Sequence, residues 1–173
     1  MVNLSRRTVP FGKGAQVIIL VAAGVEVSPV TFCAERLRDA SLDLSLISLT
    51  PSPVRGKHGI LFCTDGLIRS EQPIIENSLI ILPGTQECIQ KLMRDPRVHE
   101  LIDKVWEAQG VVAVMNSAET VAKKTLTRYG IHPQLWLQGD CTLEQFVAKL
   151  IHFAKTTPHL NASQHSPDAS TSQ

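Results

Sequence analysis

Residues 111–122 read VVAVMNSAETVA. The apolar run Val111 to Met115 stops at Asn116-Ser117, and a helical pattern begins. A strand that turns this sharply into a helix exposes its corner residue to the unpaired N–H groups of the helix start, where negative charge is favoured. Such a corner suits a nucleophile, yet Asn116 is an amide with no ionisable proton. Ser117 is the next candidate. It needs a neighbouring base to attack anything, and helix capping explains its position equally well. Glu119, in the first turn, is either a general acid or base or a charge set favourably against the helix dipole. Cys88 follows the turn Leu82-Pro83-Gly84 and is the thiol best placed for redox or nucleophilic work. Glu26 either lines a pocket or is an exposed turn acid.

No metal or cofactor is expected. The cysteines Cys33, Cys63, Cys88 and Cys141 form no CxxC pair, and the histidines show no ligand spacing. No GxGxxG or Walker sequence is present. In a chain of 173 residues the cysteines read as reduced thiols of a cytoplasmic protein. Cys33 and Cys63 sit in apolar patterns and read as core residues. Net charge is +1, aromatics make up 5%, and there is no basic stripe, so a nucleic-acid surface is not expected. No apolar run approaches the ~20 residues of a membrane span. The stretch SRRTVPFGKGAQVIILVAAG superficially resembles an export signal. It reads better as a lead followed by a buried strand, because cleavage would delete a core element.

The elements that must position these residues alternate along the chain. Val17–Val21 is a continuous β-branched run, a strand buried on both faces. Ser28-Pro29 opens a helix, serine as N-cap and proline first inside. Leu42 to Ile47 is the second strand, and Lys57 to Ile68 reads as a small hairpin or two short strands. Leu79–Leu82 is a further buried strand. Asp95-Pro96 caps a helix with Val98, Leu101, Ile102 and Val105 on one face. The strand at Val111–Met115, a helix over Ser117–Tyr129, a strand at Leu135–Leu137 and a last helix with a Thr142/Gln145 capping box complete the series. This order predicts an α/β fold: an open, mainly parallel sheet with helices on both faces. The organisation expected is a disordered lead over 1–14, one domain over 15–156 and a disordered polar tail over 157–173.

Several segments together resemble the ThiJ/PfpI family, of the class I glutamine amidotransferase-like superfamily, relatives of the Parkinson's-disease-associated protein deglycase. They are VIILVAAGVEVSPVTFCAERLRDASLDLSLISL, ILFCTDGLI, LIILPGTQECIQKLMRDPRVHELIDKVWEAQG, the opening stretch VVAVMNSAETVA, and QLWLQGDCTLEQFVAKLIHFA. The strand ending in Leu-Pro-Gly before a "RDPRV" helix is the most specific of them. The resemblance implies a three-layer flavodoxin-like sandwich, a homodimer and a stress-related role. It also implies a site made of an elbow cysteine, an acid from the turn after the first strand, and N–H groups near a second glycine.

At those positions this chain has Asn116, Pro29 and Thr85, with Glu26 matching another acid of the turn. The link after the elbow helix is short, and His132-Pro133 stands where the family carries a histidine. The expected function is therefore a non-catalytic domain that binds, regulates or assembles. Its degenerate elbow would be a small-molecule or protein pocket built from Glu26, Gly84, Thr85, Asn116, Ser117 and Glu119. The alternative is a hydrolase or deglycase-type enzyme with a relocated nucleophile, Ser117 or Cys88, served by Glu26, Glu119 or His132. A third reading is a generic flavodoxin-like ligand-binding domain, which leaves the Leu-Pro-Gly and RDPRV segments unexplained.

Overall fold

The computed structural model describes residues 15–71, 73–115, 118–128, 130 and 134–156. Its centre is β1 (Gln16–Val21), whose residues Val17 to Val21 have no exposed surface. A strand buried on both faces needs strands on both edges and helices above and below. β2 (Asp43–Ser48) lies parallel to it on one side, and β6 (Leu79–Leu82) parallel on the other. β7 (Val111–Val114) and β8 (Gln134–Leu137) extend the sheet beyond β6, and β5 (Gly66–Leu67) extends it beyond β2. The six-stranded order is β5-β2-β1-β6-β7-β8, and every pairing in it is parallel. A two-stranded antiparallel ribbon, β3 (Val54–Arg55) with β4 (Leu61–Phe62), stands apart from this sheet.

Helix α1 (Val27–Asp39) joins β1 to β2 and packs against the last helix, α5 (Leu143–Thr156). Right-handed crossovers in the opposite direction along the sheet put α2 (Gln86–Leu92), α3 (Pro96–Glu107) and α4 (Glu119–Arg128) on the other face, where α2 meets α4. Each helix turns one apolar stripe to the sheet. For α3 the stripe is Val98, Leu101, Ile102 and Val105, all buried, as its spacing predicts. For α5 it is Phe146, Val147, Leu150 and Ala154, with Ile151 half-buried. The Thr142/Gln145 capping box forms reciprocally, at 3.1 and 3.2 Å.

Three sequence expectations are corrected, and a fourth is narrowed. The N-cap of α1 is Glu26, not Ser28, and its side chain makes no capping bond; Pro29 sits in the first turn, where its missing N–H costs nothing. Lys57 to Ile68 holds two short strands, the second of its two readings, and not a hairpin of its own: Leu61-Phe62 pairs with Val54-Arg55 ahead of the stretch, and Gly66-Leu67 joins the main sheet. Helix α2 had no place in the expected element order. At seven residues it is too short to show a periodic stripe. Cys63 is exposed, because the run it ends lies on the ribbon outside the main sheet; Ile60 and Leu61 there are 55% and 54% exposed. The expected lead, the tail, Tyr129, and His132-Pro133 lie outside the described residues.

One polar cluster holds the far side of the sheet to α3. Asp95 caps α3 through the Arg97 N–H at 3.0 Å and receives the Arg97 guanidinium at 2.6 and 2.9 Å. The same guanidinium donates to the carbonyls of Ile68 and Leu49, each at 3.3 Å. The RDPRV motif thus ties the chain after β2 and the chain after β5 to the start of α3. Hydrogen bonds from Arg97 hold the Asp95 carboxyl below the usual aspartate range. A depressed carboxyl stabilises the fold above its unfolded pKa, about 3.9, and loses that contribution as pH falls through its folded value. Asp95→Ala is expected to cost about 1–2 kcal/mol in urea unfolding at pH 7. The gap between wild type and Asp95→Asn is expected to close as the medium is acidified below pH 4 or so.

Candidate functional site

The strand order reverses between β1 and β6: the chain leaves β1 toward β2 and leaves β6 toward β7. In open parallel sheets the crevice beyond the carboxyl ends at such a point is where ligands bind. Here its walls are the turn Ala22 to Glu26 after β1 and the turn Pro83 to Thr85 after β6. Both turns bend through glycines with positive φ, Gly24 at 89° and Gly84 at 114°. Gly84 carries the left-handed conformation, so Thr85 sits at φ −85° as the N-cap of α2 without strain. A threonine in place of a second glycine is therefore conformationally harmless.

The Thr85 side chain does more than cap. Its hydroxyl accepts from the Cys88 N–H at 3.3 Å and donates to the Gly24 carbonyl at 2.7 Å, across the crevice. One turn further along α2, the Lys91 ammonium donates to the Ala23 carbonyl at 3.2 Å and to Glu87 at 2.6 Å. The Glu87 carboxylate lies directly over Gly24, where a Cβ would meet it at 2.7 Å. Glu87 and Lys91 went unremarked in the sequence. Their i, i+4 spacing was the available signal, but it becomes one only once α2 is recognised.

Cys88 lies in the first turn of α2 with no exposed surface. Burial pushes its thiol up to about 11, against a backbone hydrogen bond with Ala22 and the charge of Lys91. At neutral pH it is a protonated thiol with no solvent path, despite its place near a helix N-terminus. Cys33, on the buried face of α1, is pushed up to about 12 by the same cause.

The other sequence candidates point elsewhere. Glu26 faces the ribbon, 3.9 Å from Lys57, and with Val27, Ser28, Pro29, His58 and Ile60 lines a cleft of about 380 Å³. Glu119 accepts from the Gly139 N–H at 2.9 Å and so fastens the start of α4 to the turn after β8. The structure thus brings Gly24, Gly84, Thr85 and Cys88 together, while Glu26 and Glu119 are engaged with Lys57 and Gly139. Asn116, Ser117 and His132 lie outside the described residues. Met115, which precedes the corner, is buried, and its N–H bonds the Leu82 carbonyl at 3.2 Å. Among the described residues no group of three or more His, Cys, Asp or Glu side chains is assembled to hold a metal ion.

A six-stranded parallel sheet of this order, with a Leu-Pro-Gly turn at its switch point, defines a flavodoxin-like α/β domain of the glutamine amidotransferase-like type. The DJ-1/PfpI family profile matches residues 15–130, and the chain belongs to that family. Among solved structures, Drosophila melanogaster DJ-1beta is similar with a TM-score of 0.67 at 14% identity, covering 81% of this chain and 90% of that one. A DJ-1 superfamily protein from Salmonella typhimurium gives 0.63 at 18% identity, over 79% and 88% of the two chains. Toxoplasma gondii DJ-1 gives 0.63 at 15%, over 82% and 94%. At these identities the likeness shows the fold. Among curated protein sequences there is no match.

Thiol chemistry tests the geometry. Iodoacetamide at pH 7 is expected to label the exposed Cys63 and to leave Cys88 unmodified until the protein unfolds, as read by peptide mass spectrometry. A raised thiol pKa contributes stability that is complete below the unfolded value, about 8.5, and is lost as pH climbs through the folded one. Stability in urea should accordingly fall from about pH 8.5 toward 11. Thr85→Val, which removes both hydroxyl bonds, is expected to cost about 1–2 kcal/mol, and Thr85→Ser to recover most of it.

Proposed function

We propose that this DJ-1/PfpI-family domain is a non-catalytic binding and assembly module, cytoplasmic and homodimeric. The observation that carries the reading is the state of the switch-point thiol: Cys88 is buried and neutral. The position that the family resemblance gives to a nucleophile is Asn116, an amide. The crevice side chains Thr85 and Lys91 hold main-chain carbonyls and so serve to fasten the two turns. An amide side chain supplies both a donor and an acceptor, which suits holding a ligand and not attacking one. The ligand-facing set in this reading narrows to Gly84, Thr85, Asn116 and Ser117, because Glu26 and Glu119 are engaged with Lys57 and Gly139.

The second part of the reading rests on the ribbon. Ile60 and Leu61 are more than half exposed beside the cleft that holds Glu26, with Lys57 adjacent. An apolar centre flanked by an acid and a base is self-complementary under a two-fold axis, as a dimer interface between identical chains requires. No helix among the described residues is long and apolar enough to cross a membrane.

Turnover is the direct test. Purified protein mixed with methylglyoxal or glyoxal is expected to release lactate or glycolate no faster than its Asn116→Ala form. A rate abolished by Ser117→Ala or Cys88→Ala would instead establish an enzyme with a relocated nucleophile. For assembly, light scattering is expected to give twice the chain mass, and Leu61→Asp to shift it to the monomer mass. A monomeric wild type would remove the dimer from the proposal.

A further inference from the structure

The four cysteines divide by environment. Cys33 and Cys88 are buried, Cys63 is exposed on the ribbon, and Cys141 is half-buried in the turn between β8 and α5. Among the described residues, Cys141 is the one whose sulfur receives a side-chain nitrogen: the Lys149 ammonium donates to its Sγ at 3.0 Å. Neither residue belongs to the crevice walls after β1 and β6.

Local structure fixes this contact from both sides. The Cys141 N–H bonds the Gln138 carbonyl at 3.2 Å, and the Gln138 amide donates back to the Cys141 carbonyl at 3.0 Å. The next residue, Thr142, opens α5 through the capping box. Upstream, the Glu119 carboxylate holds the Gly139 N–H at 2.9 Å. The backbone at the sulfur is therefore tied to its own turn, to α5 and to α4. Lys149 comes from the second turn of α5. Helical side chains tilt toward the N-terminus, so its stem lies back along the helix toward Cys141. Lys149 is exposed, while Cys141 packs against the core. The sulfur is thus held in place at the boundary between protein and water.

An amine this close to a thiol has two uses when the thiol meets a hydroperoxide. The thiolate is the attacking form. Its sulfur takes one oxygen of hydrogen peroxide, the O–O bond breaks, and the leaving hydroxide takes a proton from the Lys149 ammonium to become water. Cys141 is then a sulfenic acid and Lys149 a neutral amine. That amine is a nucleophile facing a sulfenic sulfur, and sulfenic acids condense with nitrogen. The N–S bond forms, the S–O bond breaks, and the hydroxyl leaves as water with one amine proton. Sulfur loses two electrons, peroxide gains two, and the product joins Cys141 Sγ to Lys149 Nζ. Two equivalents of a small thiol reverse it, returning the thiol and the amine and leaving the disulfide of the reductant.

We propose that Cys141 and Lys149 form a peroxide-driven, thiol-reversible sulfenamide cross-link that clasps the turn after β8 to α5. Lys149 serves first as the proton donor and then as the nucleophile. The clasp lies outside the crevice and stands whatever that crevice binds.

Peptide mass spectrometry tests it on the full-length chain carrying Cys63→Ser. After hydrogen peroxide treatment at neutral pH, Glu-C cuts after Glu144, between the two residues. The fragments bearing Cys141 and Lys149 are expected to stay joined, two hydrogens lighter than their sum, and to separate on adding dithiothreitol. The joined species should vanish in Cys141→Ser and in Lys149→Arg. Cys141 recovered as sulfinic acid, or as a disulfide between two chains, with Lys149 free would overturn the proposal. Joined fragments one oxygen heavier would mean a nitrogen–oxygen–sulfur bond and would overturn the N–S step. A rate supplies the separate readout for the proton donor. Under peroxide, loss of the iodoacetamide-reactive Cys141 thiol is expected to be several-fold slower in folded Lys149→Met than in wild type. Equal rates would overturn the part assigned to Lys149.

Discussion

The architecture depends on the complete burial of β1. Five consecutive residues without exposed surface can be satisfied only in the middle of a sheet, with a parallel neighbour on each edge and helices on each face. The backbone groups of β1 are then paired on both sides, by β2 and by β6. The chain must depart toward β2 first and later build outward from β6, and this reversal opens the crevice at the carboxyl end. Helix placement follows from the same reversal. Right-handed crossovers running in opposite directions send α1 to one face and α3 and α4 to the other, and α5 returns to cover α1.

In this chain the crevice is a fastened joint. Two helix side chains, Thr85 and Lys91, reach across from α2 to the carbonyls of Gly24 and Ala23, and Glu87 covers the glycine between them. These bonds satisfy acceptors at the end of β1 that no further strand can pair. They also commit the polar side chains of the first α2 turns to structural work. Next to them Cys88 has lost access to water, and burial outweighs the nearby ammonium in setting its protonation. Electrostatics at a helix start can favour a thiolate only where solvation permits one.

Membership of the DJ-1/PfpI family is therefore a statement about the sheet, its order and its turns. Chemistry belongs to the site and not to the fold. What this chain keeps is the parallel sheet with a Leu-Pro-Gly turn at its switch point. What it places around that scaffold is a capping threonine and a buried, protonated thiol. The apolar surface that remains open lies on the ribbon and in a groove between α1 and α5, both away from the switch point.

The buried strands, the helices with clear stripes and the Thr142/Gln145 capping box were legible in the sequence, because they are local properties. Val17–Val21, the α3 stripe and Thr142/Gln145 are the plainest cases. The family resemblance was legible for a related reason: it rests on the order and spacing of such local signals. The shortest elements were not. Helix α2 lacks the length to display a period, and Gly66-Leu67 is a strand only because β2 offers it an edge. Exposure of Cys63 depended on whether its run entered the sheet or the ribbon, which no local pattern states. The same holds for the candidate site. Residue types alone decided that Asn116 has no proton to give. Only the tertiary structure decided that Cys88 is neutral, that Thr85 and Lys91 span the crevice, and that Glu26 faces Lys57. Those outcomes depend on burial and on contacts between residues up to 68 positions apart.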